Sequence, residues 1–451
     1  MLRAGIYELA LIIMLGVGSL LMFVGFDTHG FILESVTLSV HKRNPSRIDE
    51  YAGYYGLAVS HVCYAVANLF APFIVSYLHP KWSLFIGSIG FTVYNVGFLY
   101  LNSYYFYISS LIMGIGFAVY YCGLGCYISE HSSRKNLARN SSLSWGITCS
   151  SFVIGGIILI TSLQNDQGDT KAHQQYSDNQ IRKVFGAFTG CALISNIILG
   201  FLPKKTLENA ICRKNSTQKD IRLKDRLGTI FKAFRSPKIW LLSFSWIHLG
   251  IMTSELLGVY PTAIIFTESL QSSIKTTVFY GIAVSVGELS TAIVVSILSR
   301  RFTHIGRVPV FLTAFIVSSI SATLILLSTS RYSPLYPNNE KPLLIKTNFY
   351  IAIAIGFLLG VSDGCWNTAR GVIIPLLKPH RRAEVFSISK MFQSFASCVI
   401  FFVATMIDLY GHYCIMMVSN IIATITFIIV SRNSSDVDVL TDVGKGIQSE
   451  F

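Results

Sequence analysis

The sequence has 451 residues, of which 52% are hydrophobic and only 13% charged, and its mean hydropathy is +0.55. Soluble globular domains carry about 25% charged residues, so this composition excludes a soluble protein and predicts an all-α polytopic protein embedded in a lipid bilayer. The formal net charge of +13 does not require nucleic acid as a partner, because most of the basic residues lie in loops on one side of the predicted membrane.

Apolar windows of about 20 residues, the length that crosses a bilayer, divide the chain into twelve predicted spans. The first run, over about residues 6–26, is too long for the hydrophobic region of a cleavable signal peptide and lacks an obvious cleavage site. The spans are predicted to begin near Ile6, Gly53, Trp82, Tyr104, Ser141, Val184, Ile239, Thr276, Val308, Asn348, Glu384 and His412.

Lys and Arg residues are divided unevenly between the loops of the two sides. With the N-terminus inside, about two thirds of the 36 Lys and Arg residues fall in cytoplasmic loops, as the positive-inside rule describes. We therefore predict an integral membrane protein with both termini in the cytoplasm. The pattern fits a plasma membrane and an endolysosomal membrane equally.

The most basic stretch separates six spans from six. It predicts an N-terminal six-helix half at 1–202, a basic cytoplasmic linker at 203–238, a C-terminal six-helix half at 239–431 and a cytoplasmic tail at 432–451. Apolar residues at helical spacing within the linker alternate with basic ones. This pattern predicts an amphipathic helix on the inner leaflet, with a calmodulin or partner site as the alternative.

The two halves form an asymmetric repeat. A shift of 246 residues lays residues 114–116 on 360–362, each followed by a short basic loop and a Ser-rich span. Parallel six-span repeats are typical of major-facilitator transporters, whose substrate site lies between the halves near the bilayer midplane. The same shift lays Asp363 on Phe117, so the second half carries charges that the first half lacks.

Charged and amide side chains lie inside the predicted spans, mostly in the second half. On a helix, Asp363, Asn367 and Arg370 share one face. Because charges are costly in a membrane, they are expected to face the bundle interior or an aqueous cavity. The predicted central cluster is Glu288, Asp363, Asn367, Arg370 and Lys390, with Asp27 in the first span and Glu255 in the seventh as secondary candidates.

Two interpretations of this cluster stay open. In the functional one, Glu288 or Asp363 exchanges a proton while Arg370 and Lys390 hold an anionic substrate group or change partners as the halves rock. In the structural one, two carboxylates and two cations neutralise one another and lock the second half.

The remaining residues predict neither catalysis nor a cofactor. All nine cysteines except Cys212 lie in or beside spans, so no extracellular disulfide framework is expected. Cys122 and Cys126 lie one helical turn apart without further ligands, which favours core packing over a metal site. No phosphate-binding glycine loop or nucleophile triad occurs, and we predict that the protein is not an enzyme.

One loop argues against conventional transport. Residues 299–310 resemble the cytoplasmic signature loop of major facilitators, but that loop normally carries an Asp near its start and none is present here. The equivalent loop of the first half, at 77–83, lacks both this Asp and the Arg pair.

Several segments carry a family resemblance: 14–18, 138–142, 287–288, 306–310, 360–368 and 386–394. Together they resemble the uncoordinated-93-like family of the major facilitator superfamily, and most of all its branch called major facilitator superfamily domain-containing protein 11. The resemblance implies a major-facilitator fold. It also adds Gln393 to the central cluster and gives Glu288, Asp363, Asn367 and Lys390 weight as family-motif positions.

The resemblance implies a function as well. Better-known relatives act as accessory subunits or chaperones: one regulates a two-pore potassium channel and another escorts nucleic-acid-sensing Toll-like receptors. We therefore expect an accessory regulator or trafficking partner of an ion channel or receptor. The alternative, favoured by the midplane charges, is a secondary transporter of a small-molecule or ion substrate coupled to protons or sodium.

Overall fold

A computed structural model describes residues 2–133, 136–163, 176–204, 228, 232, 234–267, 274–299, 308–377 and 382–448. Within these ranges the chain is almost entirely helical. The helices are α1 (Leu2–Arg43), α2 (Ala52–Leu78), α3 (Pro80–Gly97), α4 (Ser103–Glu130), α5 (Leu137–Cys149), α6 (Ser151–Leu163), α7 (Asp178–Phe201), α8 (Pro237–Ser254), α9 (Tyr260–Phe266), α10 (Ile274–Ser299), α11 (Val308–Ser328), α12 (Phe349–Leu377), α13 (Arg382–Val403) and α14 (Leu409–Gln448).

Twelve segments of the described chain are long and apolar enough to cross a membrane. The helices α5 and α6 together form the fifth span, and α8, a π-helical turn (Glu255–Val259) and α9 form the seventh. The expectation of an all-α protein with twelve spans is confirmed, and the predicted starts lie within a few residues of the helix starts.

The first helix is longer than the sequence predicted. The apolar run ends near residue 26, but α1 continues to Arg43 and has 42 residues, about 63 Å at 1.5 Å per residue. Its second part carries buried polar side chains such as Glu34 and Thr37. These are satisfied by the protein, since Thr37 Oγ1 donates to the Leu33 carbonyl and Glu34 Oε2 accepts the Tyr54 N–H at 3.0 Å.

Glycines allow close helix contacts at corresponding places in the two halves. A Cβ on Gly114 of α4 would lie 2.1 Å from the Ser60 carbonyl oxygen of α2. A Cβ on Gly360 of α12 would lie 2.1 Å from the Val284 carbonyl oxygen of α10. Helix pairs in lipid approach closely where residues are small, so the repeated segments 114–116 and 360–362 have a packing role in both halves.

The two six-helix halves meet along several helix pairs. The helix α2 packs against α13, α5 and α6 pack against α10, and α1 packs against α9 and the π-helical turn. The predicted region boundaries stay predictions. The predicted amphipathic helix of 203–238 lies almost wholly outside the described residues, as do residues 300–307 of the signature-like loop.

Candidate functional site

A cavity of about 130 Å³ lies between the two halves. Since a single water needs about 10–15 Å³, it has room for several waters or a small solute. Helices of both halves line it, including α1, α2, α4 and α5 from the first and α10, α12 and α13 from the second. The sequence-predicted residues that line it are Asp27, Glu288, Asp363, Asn367, Lys390 and Gln393.

Arg370 lies behind the cavity wall and is linked to it by amides. Its side chain is buried; Nη1 donates to Gln393 Oε1 at 2.5 Å and Nη2 donates to Asn367 Oδ1. Asn367 Nδ2 in turn donates to Asp363 Oδ2 at 2.8 Å, and Gln393 Nε2 donates to Thr253 Oγ1 at 3.2 Å. This amide-linked network of Asp363, Asn367, Arg370, Gln393 and Thr253 ties α12 to α13 and α8.

Lys390 lies outside the amide-linked network that holds Arg370. Its Nζ lies 5.1 Å from the ring centre of Tyr121 on α4 and 6.0 Å from that of Phe386. Within the described part of the chain its ammonium group donates no hydrogen bond and lies more than 4.0 Å from every carboxylate oxygen. The lysine of the second half is thus held mainly by an aromatic ring of the first half, through a cation–π contact.

Two carboxylates hydrogen-bond to the fifth span. Glu288 Oε2 of α10 accepts a hydrogen bond from the Cys149 thiol of α5 at 3.3 Å, and Ser285 Oγ donates to the Cys149 carbonyl at 2.8 Å. Asp27 Oδ2 of α1 accepts a hydrogen bond from Ser151 Oγ of α6 at 2.7 Å. Glu288 therefore bridges the two halves, while Asp27 lies mid-helix in the cavity wall.

The distances between the charged groups distinguish a cluster locked by direct ion pairs from one that is not. No carboxylate oxygen among the described residues lies within 4.0 Å of a side-chain nitrogen of Arg370, so direct ion pairs do not join the four charges. Asn367 carries the link between Asp363 and Arg370 instead. A lock of the structural kind would act through this amide.

Glu255 does not join the cavity. It lies in the π-helical turn, where its Oε1 is 2.6 Å from His412 Nδ1 of α14, and both side chains are buried. Among the residues that the structure describes, no group of three His, Cys, Asp or Glu side chains could hold a metal ion.

Apart from Asp27, the sequence interpretation missed the contribution of the first half. Aromatic residues of that half line the cavity, among them Tyr64, Phe117, Tyr121 and Trp145. The one available signal was the repeat, because the shift that lays Asp363 on Phe117 also lays Asn367 on Tyr121. Corresponding positions of the two halves thus face one cavity, with rings on one side and polar groups on the other.

The chain has recognisable relatives in sequence. Residues 44–428 match the family model described as "Ion channel regulatory protein UNC-93". The chain is 25% identical over 434 residues to the UNC93-like protein MFSD11 of Xenopus laevis, covering 93% of this chain and 95% of the relative. It is 20% identical over 399 residues to the UNC93-like protein 3 of Arabidopsis thaliana, covering 86% of this chain and 81% of the relative.

Solved structures share the architecture. A mutant of the nucleoside transporter NupG is similar with a TM-score of 0.61 and 13% identity, covering 93% of this chain and 99% of that one. The proton:xylose symporter XylE, bound to 6-bromo-6-deoxy-D-glucose, is similar with a TM-score of 0.64 and 15% identity, covering 93% and 95%. At these identities the likeness shows the fold, which is that of the major facilitator superfamily.

Proposed function

Since the chain belongs to the UNC-93 family, we propose that it is an accessory membrane protein that regulates or escorts an ion channel or receptor. The observation that carries the proposal is the family match over residues 44–428, because the description of that family is ion channel regulation. The missing Asp in the signature-like loop and at 77–83 supports it, since that residue is a usual part of major-facilitator transporters.

Co-purification tests the regulator directly. The tagged full-length chain is extracted from its native membrane in mild detergent, and the retained proteins are identified by mass spectrometry. We expect one channel or receptor to be enriched, and its current or surface level to change when the chain is deleted. A second major facilitator of the same membrane, tagged and treated in the same way, controls for non-specific retention. Enrichment of no channel or receptor, with currents and receptor levels unchanged by deletion, would contradict the proposal.

The central cavity favours a second candidate, a secondary transporter of a small solute. The cavity lies between the halves, where the substrate sites of major-facilitator transporters lie, and charged side chains line it. Uptake into proteoliposomes under proton and sodium gradients tests it. We expect saturable uptake that Asp363→Asn abolishes and Glu34→Gln retains, because Glu34 is a buried carboxylate of α1 that does not line the cavity. Absence of uptake of every solute in a broad metabolite panel would contradict transport.

A further inference from the structure

The hydrogen bonds of the cavity leave its carboxylates half-satisfied. Asp27, Glu288 and Asp363 all line the cavity. In each, one oxygen accepts a side-chain hydrogen bond, and the donors are Ser151, Cys149 and Asn367 respectively. The second oxygen of each accepts no hydrogen bond from any described residue. Three carboxylate oxygens are therefore open to a ligand.

The charges around the cavity do not balance. Three carboxylates stand against two cations, Lys390 in the wall and Arg370 behind it, which leaves a formal charge of −1. A net charge inside an apolar bundle is costly unless a counter-charge accompanies it. Either a proton on one carboxylate or a bound monovalent cation restores neutrality, and the open carboxylate oxygens offer such a cation its hydrogen-bond acceptors.

The geometry of Arg370 argues against an anionic ligand. Both terminal nitrogens already donate to the carbonyl oxygens of Gln393 and Asn367, and Arg370 does not line the cavity. In the cavity an anion would meet the ammonium group of Lys390, but it would also meet three open carboxylate oxygens. This geometry disfavours the anionic substrate that the sequence suggested for Arg370 and Lys390.

The opposite wall suits an organic cation. Tyr121 already holds the primary ammonium of Lys390 at 5.1 Å from its ring centre. Phe117 stacks on Tyr121 with 5.9 Å between ring centres, and Tyr64 packs on Phe117 at 5.2 Å. Such rings attract ammonium groups through their faces and present apolar surface to an alkyl chain.

We propose that the central cavity binds a small primary alkylammonium ion. Its three N–H donors bond to open oxygens of Asp27, Glu288 and Asp363, and its apolar chain lies against the ring wall of Tyr64, Phe117 and Tyr121. The ion supplies the missing positive charge. This inference goes beyond the regulator role, and binding is tested without a channel or any transport.

Thermal unfolding of the full chain, purified in detergent, provides the test. The probes are n-butylammonium chloride, 1-butanol and sodium butyrate at equal concentrations, with NaCl added to a constant ionic strength. A ligand that binds the folded state raises the unfolding midpoint with concentration. We expect butylammonium alone to raise the midpoint, because the alcohol lacks the charge and butyrate carries the opposite charge.

Variants of the cavity carboxylates locate the site. Glu288→Gln should weaken the apparent affinity for butylammonium by at least about tenfold, since hydrogen bonds to charged groups are the strong ones. Asp27→Asn should weaken it similarly and serves where Glu288→Gln fails to fold. The matched control is Glu34→Gln, which alters a buried carboxylate of α1 outside the cavity and should leave the affinity unchanged.

Three results would overturn the proposal. The first is an equal response to 1-butanol or to NaCl alone, and the second is stronger stabilisation by butyrate. The third is wild-type affinity for butylammonium in both Glu288→Gln and Asp27→Asn. None of these results depends on whether a channel co-purifies, so the ligand and the regulator role fail separately.

Discussion

Asn367 is the side chain through which opposite charges on α12 are joined. Its amide donates to Asp363 Oδ2 and its carbonyl oxygen accepts from Arg370. Asn367→Leu removes both contacts with little change in volume. Because hydrogen bonds to charged groups contribute about 1.5–3 kcal/mol, we expect a loss of stability of that order, measured as a lower thermal midpoint in detergent.

A surface asparagine provides the control for this substitution. Asn44 is exposed after α1, and among the described residues its side chain hydrogen-bonds only to Ser46. Asn44→Leu should change the midpoint little. If Asn44→Leu and Asn367→Leu lowered it equally, the amide-linked network would have no special role in holding α12.

The buried pair Glu255 and His412 should respond unequally to loss of either partner. Their side chains are only 4% and 2% exposed, and Glu255 Oε1 lies 2.6 Å from His412 Nδ1. His412→Leu leaves a buried carboxylate without its partner, which costs about 3–5 kcal/mol. Glu255→Gln keeps a neutral hydrogen-bond acceptor, so we expect a smaller loss. Thermal midpoints of the two variants check the order, and the reverse order would contradict this account.

The residues that the sequence predicted and those it missed differ in one physical respect. A charged residue such as Glu288 or Asp363 is energetically costly inside an apolar span, so the sequence alone identifies it as a candidate site residue. Both residues line the cavity. Rings such as Tyr64 and thiols such as Cys149 cost far less than a charge in an apolar span. Their role appears only when the other half of the bundle is placed against them.

At the scale of helices, two glycines of α12 should respond in opposite ways to substitution by alanine. A Cβ on Gly360 would collide with the Val284 carbonyl oxygen, whereas a Cβ on Gly371 would meet no atom within 4 Å. Overpacking costs about 1–3 kcal/mol, and alanine is favoured over glycine in a helix by about 1 kcal/mol. We expect Gly360→Ala to lower the unfolding midpoint and Gly371→Ala to hold or raise it. A raised midpoint in Gly360→Ala would contradict the close contact between α10 and α12.

The helix boundaries show where sequence patterns succeed and where they fail. Apolar length alone located twelve spans, because a bilayer imposes that length. It failed for α1, whose second part is polar yet helical to Arg43. The reason is that Glu34 and Thr37 are buried against protein, a surrounding that apolar windows do not register.

The start of α14 is tied to the connection between α11 and α12 by a contact that should be sensitive to acid. Asp408 lies outside the membrane spans, and Arg331 Nε donates to its Oδ2 at 2.5 Å. Burial acts to raise the pKa of Asp408, but the Gly411 backbone N–H and Arg331 outweigh it, so this pKa lies below its usual range. Because the folded pKa is depressed, the stabilisation is full above the unfolded pKa of about 3.9 and is lost as the pH falls through the folded pKa.

Arg331→Gln tests this contact. The variant should lose less stability than the wild type as the pH falls below about 4, because the pKa of Asp408 then lies nearer to its unfolded value. Thermal midpoints across that range measure the effect. The control is Arg182→Gln, since Arg182 donates to the Leu99 carbonyl rather than to a carboxylate. An identical acid response in all three proteins would contradict the prediction.

At the scale of the whole molecule, the fold and the charged residues of the cavity could be predicted, but the way the two halves combine to form the cavity could not. Repeat, span length and basic loops each reflect the bilayer or the duplication, and all three are local patterns in the sequence. The cavity brings Asp27, Cys149, Glu288 and Lys390 together from separate helices of the two halves. The packing of α1 on α5, of α2 on α13, and of α5 and α6 on α10 places them side by side.

One hydrogen bond joins the halves on the side that the sequence predicts to be outer. Tyr54 Oη of α2 donates to the Pro334 carbonyl oxygen at 3.0 Å, in the connection between α11 and α12. If the halves rock, this bond holds the outer side closed. Tyr54→Phe removes it without changing the ring, and since such a bond contributes about 1 kcal/mol, the open population should rise about fivefold.

Cys149 in the cavity reports this opening. We expect Tyr54→Phe to speed its modification by a membrane-impermeant, cationic thiol reagent applied from outside, with Cys149→Ser identifying the signal. Tyr105→Phe is the matched control, because Tyr105 Oη donates to the Val93 carbonyl at 2.9 Å within the first half. Equal rates in Tyr54→Phe and Tyr105→Phe would show that the Tyr54 contact does not govern access. A faster rate in Tyr54→Phe alone would show that the halves separate at the side that the reagent reaches.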